Sequence, residues 1–225
     1  DVFSHAIESL TARPYTQRTA PETPAARPLL QGANPYSDMA CGEAIRLIGT
    51  NIERALNQPD DIAPREALMF AGMLAGIGFG NSGCHVPHAM SYAVAGLVKD
   101  YRPDGWPDDH AMVPHGISVI LNAPAVFRLI GPTSAGRHLQ AAQALGADIR
   151  NITEERAGDV LADQVIQLMR ASGIPNGLSG VGYSDEDIEA LTDRTLPQKR
   201  LLDIAPRDIS RDDLRQLFKD SMRYW

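Results

Sequence analysis

Three of the six histidines stand in segments whose composition suits metal binding. His85 and His88 lie three residues apart in GNSGCHVPHAMSYAV, Gly80 to Val94, between a glycine-rich entry and an apolar stretch. His115 opens a second such segment in MVPHGIS, Met112 to Ser118. Asp1 and His5 are four apart in DVFSHAIESL. On a helix, four steps of about 100° return to within about 40° of the starting direction, so this carboxylate and imidazole face one way. One carboxylate and three imidazoles drawn from separate helices make a mixed oxygen and nitrogen set. Such a set suits iron(II) or zinc and is too rich in nitrogen for calcium or magnesium. Only one of His85 and His88 is needed, and spacing alone leaves the choice open. Singly, each residue has a plainer reading: a surface pair for Asp1 and His5, a cap or packing residue for His115. His110 and His138 sit in polar, loop-like or surface-helix contexts and are read as ordinary.

Helices must carry these residues. Apolar side chains recur at helical spacing over 2–10, 39–56, 65–77, 88–98, 115–130, 135–145, 154–171, 185–191 and 211–222, and no stretch alternates with period two for long. Capping-type residues mark the starts: Ser37, Thr153, Ser184 with Asp187 three on, and Ser210, while Pro64 suits a first turn. The spacing predicts a single all-α domain over 1–225. Two long loops, 11–34 and 99–114, are dense in Pro, Gly and Asp, and ordered loops of that length are more often functional than idle. The glycines of AGIGFGNSG fit neither GxGxxG after a strand nor GxxxxGK(S/T). They are expected to serve close helix packing and a tight turn into the histidine segment.

The 225 residues are 44% hydrophobic and 22% charged, the composition of an ordinary globular chain. A net charge of −7 and a pI near 5.3, without clustered Lys or Arg, argue against nucleic acid or an anionic membrane as principal partner, and a small-molecule partner is expected. Cys41 and Cys84 form no CxxC, so neither a disulfide framework nor a thiolate zinc cage is supported. With no charged-then-apolar leader, no run of about 18 uncharged apolar residues and no lipidation signature, a cytoplasmic location is expected. The chain opens on Asp1 inside a predicted helix, which suggests an upstream part.

DVFSHAIES, ANPYSDMACGEAIRLI, AGIGFGNSGCHVPHAMSYAVAGLVK and VPHGISVILNAPAVF together resemble the C-terminal helical domain of the iron-containing (group III) alcohol dehydrogenases, in order from Asp1 through about Gly146. Within that family the likeness is to the hydroxyacid-oxoacid transhydrogenase, or 4-hydroxybutyrate dehydrogenase, branch. It rests on GFGNSGCHVPHAMSYAVAGLVK, on LGAD at Leu145, on GYSDEDI and TLPQKR near Gly182 and Thr195, and on the long insertion after the first helix.

The resemblance implies a multi-helix bundle of the dehydroquinate synthase-like C-terminal type. It puts metal ligands at Asp1, His5, His88 and His115, with His88 chosen over His85 by its HAM register. It implies Fe2+ (or Zn2+) as the metal and NAD(P) held by an upstream Rossmann-like domain absent from this chain. The implied activity is oxidation of an alcohol or hydroxyacid, 4-hydroxybutyrate to succinic semialdehyde, with hydride passing to the nicotinamide or onward to an oxoacid. A homo-oligomer is expected, and the fragment alone is expected to be inactive. Many relatives carry a second, proton-relaying histidine four residues after the ligand at His88. Tyr92 stands there instead and can also donate and accept a hydrogen bond. A carboxylate substrate needs a nearby cation. The insertion offers Arg13, Arg18 and Arg27, the last two being the substrate-binding candidates. Two other readings remain open: a non-catalytic helical metal-binding or oligomerisation module, and an all-α metal phosphohydrolase. The latter usually carries an adjacent His-Asp pair, and no His here is followed by Asp.

Overall fold

The computed structural model describes residues 1–107 and 109–225; Asp108, in the second Pro-rich loop, lies outside the described residues. Among the described residues the chain is all-α, as expected, with eleven α-helices joined by loops and 3-10 turns and a single isolated bridge between Pro14 and Ala33. The helices are α1 (Val2–Thr11), α2 (Pro35–Asn57), α3 (Ile62–Ser82), α4 (Val86–Gly96), α5 (His115–Ile120), α6 (Ala123–Ile130), α7 (Ala135–Ala144), α8 (Ala157–Ala171), α9 (Ile188–Thr195), α10 (Lys199–Leu202) and α11 (Arg211–Asp220).

α1 is a core helix. It packs against α2, α3, α5 and α7 and buries Ala6, Ile7 and Leu10 completely. Its polar residues Ser4, Glu8, Ser9 and Thr11 are buried with them, and Glu8, Ser9 and Thr11 find hydrogen-bond partners inside the protein. Around this centre α2 pairs with α3, α4 packs on α5 and α9, α6 on α8, and α9 on α11, with Phe127 and Phe218 fully buried.

Several element boundaries differ from the expected ones. The Asn34 side chain, not Ser37, caps α2, accepting the Ser37 amide at 3.1 Å with Pro35 following, because a first helical turn needs a cap and no apolar residue. Asp61 caps α3, which starts at Ile62, earlier than expected, and Pro64 falls in its first turn as expected. The glycine-rich segment continues α3 as far as Ser82. At Gly78 there is no room for a Cβ beside Cys41, so close packing is the glycine's role there, and the turn falls at Gly83 with φ +94°. By length and composition α3 and the stretch His115–Ala144 could each cross a membrane, though neither is an uncharged run, α3 carrying Arg65 and Glu66, and α3 is packed here against α1 and α2. The helix expected over 115–130 is divided at Leu121 and Asn122, since Pro124 has no amide hydrogen for the Ile120 carbonyl and its ring crowds that carbonyl. Arg13 to Ala33 form a strap held by backbone hydrogen bonds from Arg13 to Ile204 and from Tyr15 to Ala33.

Candidate metal centre

Asp1 stands at the N-terminal edge of α1, and its carbonyl accepts the His5 amide at 2.9 Å, which fixes the two side chains one turn apart. His88 lies in the first turn of α4 and His115 is the first residue of α5. A Cβ at Gly116 would come within 2.9 Å of the Asp1 nitrogen, so the glycine after His115 is what lets α5 approach the start of α1. The His5 ring is sandwiched between Phe79 of α3, at 4.0 Å between centroids, and His88, at 4.7 Å; His115 meets His88 edge-on at 5.4 Å.

The nitrogens converge. Asp1 Oδ1 lies 3.6 Å from His5 Nε2, 3.4 Å from His88 Nε2 and 3.6 Å from His115 Nε2. Hydrogen bonds of this kind cluster near about 2.9 Å, so these contacts are too long to be three good ones. Donor atoms bonded at about 2.1 Å around a tetrahedral cation lie about 3.4 Å apart, which is the spacing found. His88 Nε2 is buried and has no hydrogen-bond partner, which costs about 1–3 kcal/mol if nothing else satisfies it. The four residues therefore fit a divalent cation. Burial is graded across them: the side chain of His88 is 6% exposed and that of His115 49%, so the cluster is closed behind and open in front. On the open side lies a cavity of about 480 Å³, lined by Asp1, His115 and apolar residues including Phe3, Ile117 and Ile120.

Charge in the cluster is set by burial and by one carboxylate. Burial pushes His5 down to about 4, helped by His88 beside it, and burial likewise lowers His115. Burial opposes the charged form of His88 too, yet the Glu8 carboxylate and its hydrogen bond win and push this imidazole up to about 10. Glu8 is itself wholly buried, which would raise it, but His88 and the amides it accepts hold it below the usual carboxylate range. Behind His88, Glu8 and Cys84 make a second, fully buried group with it. Burial pushes the Cys84 thiol up to about 11 and keeps it neutral.

The other candidates are placed as follows. His85 is fully buried, with Nε2 2.9 Å from Thr11 Oγ1, and takes no part in the convergent group. His110 pairs with Asp109 on an exposed loop, an ordinary role as expected. His138 is not on a surface helix: it is fully buried, its Nδ1 turned to Ser134 and its ring 6.0 Å from that of Phe127, because α7 turns this face onto the core with Ala141 and Ala142. Tyr92, one turn beyond His88, is 43% exposed, with its ring 6.5 Å from that of His115. Arg18 and Arg27 line a different cavity, of about 600 Å³, together with Arg13, Asp203 and Asp208; none of the four convergent residues borders it. Arg18 donates to the Leu30 carbonyl, and Arg13 is held by Asp208 and the Ala205 carbonyl. Sequence reasoning missed Glu8 and Gly116. The signal for Glu8 was its place three residues after His5 on the stripe of α1 that begins at Asp1.

The model of the Fe-containing alcohol dehydrogenase family, C-terminal, matches residues 29–222. The chain is 45% identical over 224 residues to a probable hydroxyacid-oxoacid transhydrogenase, mitochondrial, of Dictyostelium discoideum, spanning 99% of this chain and 41% of that protein. It is 44% identical over 226 residues to the hydroxyacid-oxoacid transhydrogenase, mitochondrial, of Rattus norvegicus, spanning 100% of this chain and 48% of that one. The chain thus spans slightly less than half the length of these relatives. Among solved structures, a 1,3-propanediol oxidoreductase superposes with a TM-score of 0.80 at 23% identity, over 98% of this chain and 50% of the other. An alcohol dehydrogenase from Oenococcus oeni gives 0.80 at 21%, over 98% and 49%. At these identities the two structures speak for the fold. Family model, relatives and fold agree, and the chain belongs to the Fe-containing alcohol dehydrogenase family as a C-terminal helical domain.

Proposed function

We propose that Asp1, His5, His88 and His115 hold a divalent first-row cation, iron(II) or zinc, and that the chain is the metal-holding part of an enzyme oxidising a hydroxyacid. The observation that carries this is the convergence of three imidazole Nε2 atoms on one Asp1 oxygen, at 3.4–3.6 Å, with one of those nitrogens buried and unpartnered. The names of the relatives favour a hydroxyacid as hydride donor and an oxoacid as acceptor, and the reaction proposed is 4-hydroxybutyrate going to succinic semialdehyde, with hydride passing to a nicotinamide or onward to the oxoacid. When bound, the metal supplies Lewis acidity that lowers the pKa of the substrate hydroxyl. This chain's residues do the rest of the positioning. The apolar wall of Phe3, Ile117 and Ile120 excludes water from one side of the open face. Tyr92, with its ring 6.5 Å from that of His115, can accept a hydrogen bond from the substrate hydroxyl on its phenolic oxygen. The NAD(P) would be held by the part of the relatives' length that this chain does not span. Met39 on α2 and Ile62, Met69, Phe70 and Met73 on α3 are exposed apolar side chains of the kind that assembly into an oligomer covers. Family membership leaves the phosphohydrolase reading without support.

The test is hydride transfer in a full-length protein containing this chain, assayed with 4-hydroxybutyrate and with butanol. The reading expects succinic semialdehyde from the former, abolished by chelation and by His115→Ala. Tyr92→Phe should lower kcat while leaving metal content intact. Turnover that survives His115→Ala and chelation together would overturn it.

A further inference from the structure

We propose that Glu8 is a positioning residue for the metal centre: its buried carboxylate grips the His88 imidazole by Nδ1 and so presents Nε2, as a lone-pair donor, toward Asp1, His5 and His115. The inference rests on the reading of those four residues as a metal site and adds to it the group that sets the innermost donor.

Glu8 is fully buried in a helix that is otherwise core, an expensive place for a carboxylate unless every oxygen is used. Both oxygens are used. Oε1 lies 2.6 Å from His88 Nδ1, and Oε2 accepts the His85 amide at 2.7 Å. The carboxylate is therefore clamped between α1 and the turn that opens α4, and it holds the residue that α4 contributes to the cluster. An ionised carboxylate only accepts hydrogen bonds, so the proton of a neutral His88 ring must sit on Nδ1 and the lone pair on Nε2. Stacking on His5 and the edge of His115 fix the ring plane, and Glu8 fixes which end faces forward. The two groups that share His88 are thus the two ends of one ring: Glu8 with Cys84 behind, Asp1 with His5 and His115 in front. Carboxylate–histidine–metal relays of this kind orient a ligand and raise its basicity. Charge balance agrees, since a buried carboxylate needs a positive partner and a cation at Nε2 supplies one through the ring.

The experiment measures cobalt(II) affinity by competition with a chromophoric chelator, together with the ligand-field absorption of the bound cobalt, in the wild-type protein, Glu8→Gln and Thr11→Val. Glu8→Gln keeps the shape but removes the charge and replaces one of the two accepting oxygens by an NH2 donor, so the side chain can no longer accept from both the His85 amide and His88 Nδ1. It is expected to weaken cobalt binding by about 10–100-fold and to change the absorption envelope. Thr11→Val removes another buried bond between the same two segments, the one between His85 Nε2 and Thr11 Oγ1, and should lower Tm without altering cobalt affinity. Wild-type affinity and spectrum in Glu8→Gln would overturn the proposal, and so would an equal loss in Thr11→Val. If Glu8→Gln does not fold, nitrogen NMR of the histidines in the zinc-loaded wild-type protein decides: Nδ1 protonated and Nε2 metal-bound in His88 is the expected pattern, and the reverse overturns it. A wild-type protein that binds no cobalt would bring down the four-residue site together with Glu8. Binding that is lost in His115→Ala but untouched in Glu8→Gln brings down Glu8 alone.

Discussion

Two regions of the molecule gather residues of one chemical kind, and they differ in how committed those residues are. Around Asp1 the three imidazoles come from α1, α4 and α5, are held by stacking and by Glu8, and leave an unpartnered nitrogen facing inward. In the strap over 11–34 the three arginines also line one cavity, but Arg13 and Arg18 spend hydrogen bonds on Asp208 and on backbone carbonyls, and two aspartates share the lining. In the first region one buried donor, His88 Nε2, is left without a partner. In the second, Arg13 and Arg18 are satisfied within the chain, by Ala205 and Asp208 and by the Leu30 carbonyl of the strap itself. Residue type announces a site in both, and the unsatisfied atom separates them.

The largest effect expected from this contrast is in the first region. His88→Ala removes the innermost donor and should weaken divalent-metal binding by more than the roughly 10–100-fold that a change behind the ligands produces. Equilibrium competition with a chelator measures it, and a smaller loss would place His88 outside the site.

A second effect concerns buried neutral imidazoles beneath the cluster. Burial holds His85 and His138 down at about 4, against an ordinary value of 6.5. As pH falls below about 6.5 the unfolded chain takes up these protons first. Stability is therefore full above that pH and is lost toward about 4, by up to about 3 kcal/mol for each ring. Urea midpoints between pH 7 and 4 should fall accordingly, and His138→Gln should flatten the slope; an unchanged slope would mean that His138 does not titrate in this window.

Smaller again is the packing beneath the site. Gly78 of α3 sits against Cys41 with no space for a Cβ, so Gly78→Ala is expected to cost about 1–3 kcal/mol of stability, read by denaturant titration. The smallest effect belongs to the second region: Arg27→Ala should leave stability within about 0.5 kcal/mol and metal affinity unchanged. If Arg27→Ala in the full-length protein instead abolishes discrimination between 4-hydroxybutyrate and butanol, the strap serves the substrate after all and the contrast between the regions narrows.

Much of this was legible in the sequence, for physical reasons. The helices announce themselves by period; residue type singles out Asp1, His5, His115 and the pair His85 and His88, the family resemblance selects His88, and the fold brings Asp1, His5, His88 and His115 together. Glu8 was not legible as a contributor because a glutamate near the end of a short helix normally faces water, and only the packing of α1 into the core makes it internal. His138 misled for the opposite reason, since Arg137 and Gln140 give its neighbourhood a surface look while its own face meets Phe127. The division between α5 and α6 hangs on Pro124, whose effect falls on a carbonyl four residues back, inside an unbroken apolar pattern. The arginines of the strap could not be placed, because a loop has no period from which to read direction.

The most direct measurement of the central claim is metal content by plasma mass spectrometry of the protein purified without chelator, beside the His88→Ala, His115→Ala double variant. Near-stoichiometric iron or zinc in the wild-type protein, lost in a folded double variant, is the expected result. Equal metal in both, or none in the wild type when it is refolded with iron(II) or zinc, would contradict the assignment of the convergent histidines as a metal centre.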